Sequence, residues 1–238
     1  MKPTILSMIF IFSLTAVFGG CVMNRVSTEA QTIVLRDGGS AAMRIEIEPG
    51  TEWSSHMRAG PFVFNVLPQF AIWTEDAAGN LVETLYVTGA DFASMRHAGK
   101  NERQGEFFSE SLPVWSSRIA ATGSLLPSKA NPYPDTVTSA TPSGPTTLMT
   151  ALTTSDSATA IFLEINKSGD VNATFTKEEN DWAGQPSLVY AASLAAGTTH
   201  LELIGHGGRL GDAPAIYTDL SGFDTALEQV ASVVVTFE

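Results

Sequence analysis

The chain has 238 residues, of which 44% are hydrophobic, and its 25 acidic against 13 basic residues give a formal net charge of −12. This acidic excess argues against nucleic acid and disfavours anionic lipid surfaces as partners, because both repel a negatively charged protein. The chain contains one cysteine, Cys21, so no intramolecular disulfide can form and a folded domain must rely on its hydrophobic core.

The first twenty residues have the features of a secretory signal peptide. Lys2 precedes an apolar run over residues 5–18, which is too short to span a bilayer comfortably. The run ends in Gly19-Gly20-Cys21, which resembles the lipobox of bacterial lipoproteins, where small residues precede a cysteine that is diacylated and becomes the mature N-terminus. The resemblance implies lipid attachment at Cys21. The alternative is an ordinary secretory leader with an incidental cysteine.

The chain therefore divides into a signal peptide over residues 1–20, a polar tether over 21–31 and one domain over 32–238. Removal of the leader would take away one basic residue and no acid, which changes the formal charge to −13. About 210 residues are enough for one substantial core. Lipid on Cys21 would place this domain in the bacterial cell envelope, and we expect it at the outer membrane, facing the periplasm.

The clearest structural pattern covers residues 69–88 and predicts a β-hairpin. Branched and aromatic residues alternate over 69–75 and again over 81–88, which is the period of a strand. The intervening residues suit a turn, because Gly79 and Asn80 tolerate positive φ and Asp76 can accept hydrogen bonds from backbone two residues on. A lone hairpin is unstable in water, so a second sheet must pack on it.

The same alternation predicts further strands along the chain. Residues 32–36 and 42–48 predict a first hairpin with one buried and one solvated face. The other predicted strands are 62–66, 147–153, 158–165, 187–194, 200–204 and 232–237, with 158–165 covered on both faces. Short helices are predicted over 91–97 and 112–121, and a helical turn within 223–230. About ten short strands predict an all-β fold, an immunoglobulin-like β-sandwich, with a barrel as the alternative.

Several runs carry a resemblance to a known family. They are Ile72-Trp73-Thr74-Glu75-Asp76, Thr84-Leu85-Tyr86-Val87, Leu112-Pro113-Val114-Trp115 and the segment from Asp135 to Thr141. Together they resemble an uncharacterised family of predicted bacterial periplasmic proteins, known only as a domain of unknown function. The resemblance spans most of the chain after the leader. It implies an exported β-sandwich and no known activity.

One short motif could carry a cofactor. Asp135-x-x-Thr138-Ser139-Ala140-Thr141 is similar to the Asp-x-x-(Ser/Thr)-Gly-Ala-Thr acceptor site of exported FMN-binding domains, in which a transferase links the FMN phosphate to the last threonine. The similarity implies covalent FMN on Thr141, with Asp135 and Thr138 completing the site. Ser139 stands where that motif has glycine. The alternative is a crossing loop whose hydroxyls bond to its own backbone.

Two other motifs are better explained by a structural role than by metal binding or catalysis. Asn166, Ser168, Asp170 and Asn172 have the two-residue spacing of calcium ligands, but Val171 and Lys177 replace the glycine and the bidentate carboxylate, so we expect a polar turn. His206 lies in Gly205-His206-Gly207-Gly208, which is similar to a donor-rich oxyanion loop, but no Gly-x-Ser-x-Gly motif supplies a nucleophile. We therefore expect a glycine-rich bend.

Three hypotheses of function follow. The first is a lipid-anchored, non-catalytic β-sandwich that acts as a binding or accessory module, with no cofactor and with another envelope protein as partner. The second is an electron-transfer accessory protein that carries flavin on Thr141. The third is a hydrolase, for which the sequence offers no recognisable nucleophile and base.

Overall fold

The computed structural model describes residues 29–36, 42–59, 61–88, 110–128, 131, 133, 138–139, 141–153, 157–180 and 183–238. The strands in chain order are β1 (Gln31–Val34), β2 (Ala42–Pro49), β3 (Ser55–Ala59), β4 (Phe62–Val66), β5 (Gln69–Glu75), β6 (Leu81–Thr88), β7 (Thr138–Ser139), β8 (Thr146–Ala151), β9 (Ala160–Asn166), β10 (Leu188–Ser193), β11 (Gly197–His200), β12 (Glu202–His206) and β13 (Val230–Phe237). The helices are α1 (Pro113–Ala121), α2 (Lys177–Asn180) and a 3-10 turn over Thr225–Glu228.

Two sheets form the body of the protein. The first has the order β1-β8-β2-β13-β11 and the second has the order β12-β10-β9-β5-β6-β7, while β3 and β4 form a separate hairpin. The chain passes from the first sheet to the second across the buried Leu201, between β11 and β12. The protein is an all-β sandwich, which confirms the predicted fold class.

The core between the sheets consists of apolar side chains from both. In β2 the buried residues Met43, Ile45 and Ile47 alternate with more exposed ones, as predicted for a strand with one solvated face. In β5, Phe70 and Ile72 face them from the second sheet. Burial of such surface is the main stabilising term, at roughly 25 cal/mol per Å² removed from water.

The second sheet is also covered on its other face, at its centre. Ala71 and Trp73 of β5 point away from the inter-sheet core, and the Trp73 ring stacks on Phe162 of β9 with centroids 5.3 Å apart. We call the second cluster the outer cluster; its buried members are Ala71, Trp73, Val87, Leu112, Val114, Trp115, Ile119 and Val189. The run over 158–165 was predicted to be covered on both faces; this holds for 161–165 in β9, whereas Thr159 is exposed.

The central hairpin is formed by β5 and β6 and follows the predicted turn chemistry. Asp76 Oδ1 accepts hydrogen bonds from the backbone N–H groups of Ala78 and Asn80, both at 2.9 Å, and Gly79 has a φ of 80°. The hydrogen bond from the Asn80 side chain is the largest cause that holds the pKa of Asp76 below its usual value. The hairpin prediction is confirmed.

The predicted first hairpin is wrong. Strand β1 pairs in parallel with β8, and β8 then pairs antiparallel with β2, so β8 lies between the two segments expected to be neighbours. Leu148 of β8 is opposite Ile33 on one side and opposite Ile45 on the other. This insertion lets β8 make ladders along both of its edges, which a two-strand hairpin of β1 and β2 would not provide.

The helical predictions have mixed outcomes. Helix α1 lies within the predicted 112–121 segment, with Pro113 in its first turn and with Trp115 and Ile119 buried. The 3-10 turn begins after Asp224, whose side chain accepts a hydrogen bond from the N–H of Thr225. The helix predicted over 91–97 lies outside the described residues.

Candidate functional site

Helix α1 is capped by a carboxylate from a distant strand. Its N-cap residue, Leu112, offers no side-chain acceptor, and the first N–H groups of a helix need partners. Glu164 of β9 supplies them: its Oε1 accepts from Val114 N at 3.1 Å and its Oε2 from Trp115 N at 2.7 Å. A negative group at this end also interacts favourably with the helix dipole. Glu164 therefore fixes where α1 begins.

Glu164 is fully buried beneath the helix. Its third hydrogen bond comes from the Ser187 hydroxyl, which donates to Oε1 at 2.6 Å. Burial raises the pKa of Glu164 to about 7, and the hydrogen bonds from Ser187, Trp115 and Val114 and the charge of Arg118 act in the opposite direction. The carboxyl group therefore changes charge near neutral pH, at the base of α1.

Gly207 is required by the close packing around this carboxylate. A Cβ atom at this position would lie 2.4 Å from Ser187 Oγ, 2.7 Å from Pro113 Cγ and 2.9 Å from Glu164 Oε1, so only glycine fits. The N–H of Gly207 donates to the carbonyl of Ser187 at 2.9 Å. The chain after β12 thus passes directly over Glu164 and the start of α1.

A second buried carboxylate holds the helix further along. Glu75 of β5 is 4% exposed, and its Oε1 accepts from Trp73 Nε1 at 2.8 Å and from Arg118 Nε at 2.7 Å. Glu75 and Glu164 lie on neighbouring strands of the second sheet. Two carboxylates on one sheet face thus attach the helix at two points.

The loop over residues 207–216 lies beside α1. Its two ends are joined, because His206 and Tyr217 exchange backbone hydrogen bonds of 2.8 and 2.9 Å and their rings stack with centroids 5.4 Å apart. Within the loop, Asp212 Oδ2 accepts from the N–H of Arg209 at 2.7 Å. These contacts give the 207–216 loop a defined shape.

A cleft of about 320 Å³ separates α1 from the 207–216 loop. Its helix side is formed by Pro113, Ser116, Ser117 and Ala120, with Glu110 before the helix and Leu126 after it. Its loop side is formed by Arg209, Leu210, Gly211, Asp212 and Pro214. Apolar walls with a few polar groups are typical of small-molecule sites, and the volume is at the lower end of their usual range.

The hydroxyl of Ser116, a residue that lines this cleft, is not satisfied by a hydrogen bond within the described part of the chain. Ser116 is 6% exposed, and within the part of the chain that the structure describes its Oγ has no hydrogen-bond partner. Buried hydroxyls are normally hydrogen-bonded, and leaving one unpaired is unfavourable. The oxygen itself has less than 1 Å² of accessible surface, so it lies beneath the cleft wall and not at its open face.

Arg209 brings a positive charge to the cleft, and the carboxylate of Glu179 lies close enough to form an ion pair with it. Its Nη1 lies 3.1 Å from Glu179 Oε2 and 3.4 Å from the carbonyl of Thr174. The guanidinium carbon also lies 4.8 Å from the centroid of the Phe175 ring, at cation–π distance. The carboxylates Glu110 and Asp212 line the same cleft.

The proposed flavin site is only partly described. Asp135 lies outside the described residues, and Thr138 lies in β7, which pairs in parallel with β6. Cys21, the predicted lipid-attachment residue, also lies outside the described residues. Thr141 is partly buried, and its hydroxyl donates to the carbonyl of Pro68 at 2.7 Å. In the folded domain the Thr141 hydroxyl is therefore engaged with the backbone. Flavin attachment stays a prediction.

The residues with calcium-like spacing make internal contacts. Asp170 accepts from Thr225 Oγ1 at 2.6 Å and from Gln229 Nε2 at 3.2 Å, and Asn166 donates to two backbone carbonyls. No group of three or more metal-ligating side chains is found among the described residues. The hydrogen bonds of Asp170 join this turn to the 3-10 segment and explain its polar sequence.

His206 and Ser187 lie near each other along paired strands but engage other groups. The Ser187 hydroxyl donates to Glu164, and His206 Nδ1 accepts from Gly208 N at 3.1 Å. The His206 ring also hydrogen-bonds the backbone of Asp219, while burial lowers the pKa of His206. A hydrolytic nucleophile and its base share a hydrogen bond, which these two residues do not form.

Sequence reasoning missed Glu164, Glu75 and Ser116 as site residues. A signal for Glu164 was available, because an acidic residue in a strand covered on both faces must be buried and needs donors. The identity of those donors could not be read, because Val114 and Trp115 lie about fifty positions earlier in the chain.

Comparison with known protein families, with curated proteins and with solved structures found no match for this chain. The resemblance to a family of periplasmic proteins therefore stays a prediction. Within the described ranges, no helix has the length and apolar character needed to span a membrane.

Proposed function

We propose that this protein is a non-catalytic binding module of the bacterial envelope, anchored by lipid on Cys21, and that it binds through the cleft between α1 and the 207–216 loop. The observation that carries the proposal is the cleft itself, whose lining combines apolar side chains with polar ones such as Ser117, Arg209 and Asp212. Concave, mostly apolar sites with a few polar groups are the usual places where proteins bind small ligands.

The attachment of the cleft to the sandwich supports this proposal. Glu164 and Glu75 hold α1 to the second sheet, and Gly207 packs the start of the loop on Ser187. Sites bind more tightly when their walls are held rigidly by the surrounding structure, because less ordering is required on binding. Both walls of the cleft meet this condition.

The anchoring part of the proposal rests on the sequence. Cys21 follows two glycines at the end of an apolar leader, and acyl chains on this residue would hold the domain at a membrane surface. The acidic net charge argues against electrostatic attachment to anionic lipid. We propose another envelope component as the partner.

A crosslinking experiment in the native membrane tests both parts. Wild-type protein should fractionate with membranes and Cys21→Ser should not. Ala120→Trp places a large ring in the cleft, whereas Ala121→Trp adds the same ring to an exposed neighbour that does not line the cleft. An envelope component should be recovered with wild type and Ala121→Trp, and at least tenfold less with Ala120→Trp. Equal recovery with both tryptophan variants, or no recovered component, would contradict binding through the cleft.

A further inference from the structure

We infer that the β3–β4 hairpin contacts the surface of the lipid bilayer to which acyl chains on Cys21 would attach the protein. The inference rests on the proposed function, because it requires the domain to be anchored at a membrane, and it adds the part of the domain that touches the lipid. The position of the hairpin, the reach of the tether and the composition of the hairpin each support it.

The hairpin and the start of β1 lie at the same end of the sandwich. In the first sheet, Thr146 of β8 is opposite Gln31, the first residue of β1, and also opposite Ile47, near the end of β2. The chain leaves β2 at Pro49 and enters β3 at Ser55. The residues that precede β1 therefore leave the first sheet at the end where the hairpin begins.

The second sheet reaches this end as well. Strand β5 begins at Gln69, shortly after β4, and Gln69 pairs with Asn166, the last residue of β9. The next residue, Lys167, donates from Nζ to the carbonyl of Glu52 at 2.7 Å, in the segment between β2 and β3. The turn over 76–80 follows the last residue of β5 and so lies at the opposite end of the second sheet. Both sheets therefore meet at the base of the hairpin.

The tether is long enough to bring this end of the sandwich to a bilayer. Residues 21–30 precede β1, and an extended chain of that length spans at most about 35 Å. Each strand of the hairpin has 5 residues, which corresponds to a length of roughly 17 Å. The hairpin can therefore reach the surface that would hold acyl chains on Cys21 without full extension of the tether.

The hairpin differs in composition from the acidic chain around it. No acidic residue occurs between Glu52 and Glu75, although the chain has 25 in total. Strand β4 begins with the run 62–64, which reads Phe-Val-Phe. Pro61 and Val63 are exposed, Val63 to 50%. Exposed apolar residues mark contact surfaces, and the absence of acids reduces the repulsion from lipid phosphates that the net charge of the chain would cause.

The contact is limited to the interface of the bilayer. Strands β3 and β4 form a two-stranded sheet, so within the described residues each strand has one edge without a ladder. Backbone groups on such edges need water, which the hydrocarbon core does not supply. We therefore expect only the tip of the hairpin, at Pro61, to enter the bilayer, by about 5–10 Å.

Vesicles that carry the protein on Cys21 test the inference. The thiol of this single cysteine, in the chain that begins at Cys21, is joined to a maleimide lipid in phosphatidylcholine vesicles, so the test does not depend on acylation in the cell. Val63→Trp adds an indole to the hairpin, and Ala77→Trp adds the same group to the exposed turn at the opposite end.

The readout is quenching by phosphatidylcholine that is brominated near the glycerol end of its acyl chains. The fluorescence that Val63→Trp adds to that of wild type should fall by about half, because the tip lies at this depth. The fluorescence that Ala77→Trp adds should be unchanged. Equal quenching of the two added indoles, or no quenching of either, would overturn the inference.

Hydrogen exchange of the unsubstituted protein shows whether the hairpin contacts lipid without an added indole. The amides of β4 should exchange about threefold more slowly on phosphatidylcholine vesicles than in free protein, because lipid contact opposes local opening, while the amides over 76–80 keep their rates. Val63→Asp places a charge at the same exposed position and should remove the slowing. Unchanged exchange of β4 on vesicles would overturn the inference.

The outcomes separate this inference from the proposed function. Unchanged exchange of β4 on vesicles, together with wild-type protein that fractionates with membranes, would overturn the inference alone. Wild-type protein that stays soluble would contradict both. If β4 is unaffected by vesicles and Val63→Asp lowers recovery of the envelope component in the crosslinking experiment, the hairpin binds a protein and the inference is wrong.

Discussion

The two buried clusters of this protein are held together in different ways. The core between the sheets is apolar on both sides, with residues such as Ile45, Ile72 and Leu163 fully buried. The outer cluster beneath α1 is bordered by two buried carboxylates, Glu75 and Glu164, that accept hydrogen bonds from the helix. Hydrophobic burial joins the sheets, and directional hydrogen bonds position the helix.

This difference follows from the length of the helix. Nine residues are too few for a helix that is stable alone in water, so α1 depends on contacts outside itself. Apolar contacts fix its distance from the sheet, but they are not directional. Two carboxylates at separate points also fix its orientation, which a cleft wall requires. The comparison therefore predicts global effects from core variants and local effects from carboxylate variants.

The largest expected effect is in the inter-sheet core. Phe70 is fully buried and lies against Trp53 and Tyr86, with ring centroids 6.0 and 5.3 Å away. Phe70→Ala should lower the free energy of unfolding by about 4 kcal/mol, because it leaves a cavity. Urea denaturation should show a lower midpoint and an unchanged slope. Val63→Ala, at a half-exposed position, is the control and should cost less than about 0.5 kcal/mol.

Glu164→Ala should have the next largest effect. It leaves the N–H groups of Val114 and Trp115 and the Ser187 hydroxyl without their acceptor, at a cost of about 3 kcal/mol. Hydrogen exchange should show the loss first at the amides of α1, while the strands of the first sheet keep most of their protection. Uniform loss of protection in both sheets would contradict separate roles for the two clusters.

The pH dependence of the free energy of unfolding should show over which pH range Glu164 becomes charged in the folded protein. Its pKa is raised from 4.5 to about 7 on folding, so its contribution is fully present below pH 4.5 and is lost as the pH rises through 7. Between pH 5 and pH 8 the free energy of unfolding should fall by roughly 2.5 kcal/mol from this group. His206, whose pKa is lowered, acts in the opposite direction, so the measured quantity is the difference between wild type and Glu164→Gln. Parallel pH profiles of these two proteins would contradict the prediction.

The smallest effects compare two ion pairs of different burial. Arg118→Met removes the partner of Glu75, whose side chain is 5% exposed, and should cost about 1.5 kcal/mol after allowing for the partial exposure of Arg118. Arg44→Met removes an exposed pair with Glu46 and should cost less than about 0.5 kcal/mol. Thermal unfolding of the two variants gives the comparison. Equal losses of stability in the two variants would contradict the view that burial of Glu75 strengthens its interaction with Arg118.

Local sequence patterns predicted the elements of the fold well, and long-range pairing less well. The β5–β6 hairpin and helix α1 carry their own turn and cap chemistry, so their sequences were sufficient. The pairing of β1 with β8 joins residues more than a hundred positions apart. A short strand with alternating apolar and polar residues can pair with many other strands, and its partner is decided only when the whole sheet assembles.

The candidate site was less accessible to prediction than the fold. Glu164 and Gly207 both lie in runs that the sequence marks as unusual, a doubly covered strand and a glycine-rich bend. Their significance arises from Pro113 and Ser187, which come from two other parts of the chain and meet them at one point. Single-sequence reasoning can expect that a buried acid has donors, but it cannot identify them.

The position of β13 within the first sheet has a consequence for the order of folding. This strand is the last one described, yet it lies between β2 and β11 and makes ladders with both. The first sheet therefore cannot be completed until synthesis has reached Phe237, and contacts so distant in sequence form slowly. The described strands of the second sheet all lie earlier in the chain, so that sheet can be completed while β2 and β11 still lack their common neighbour.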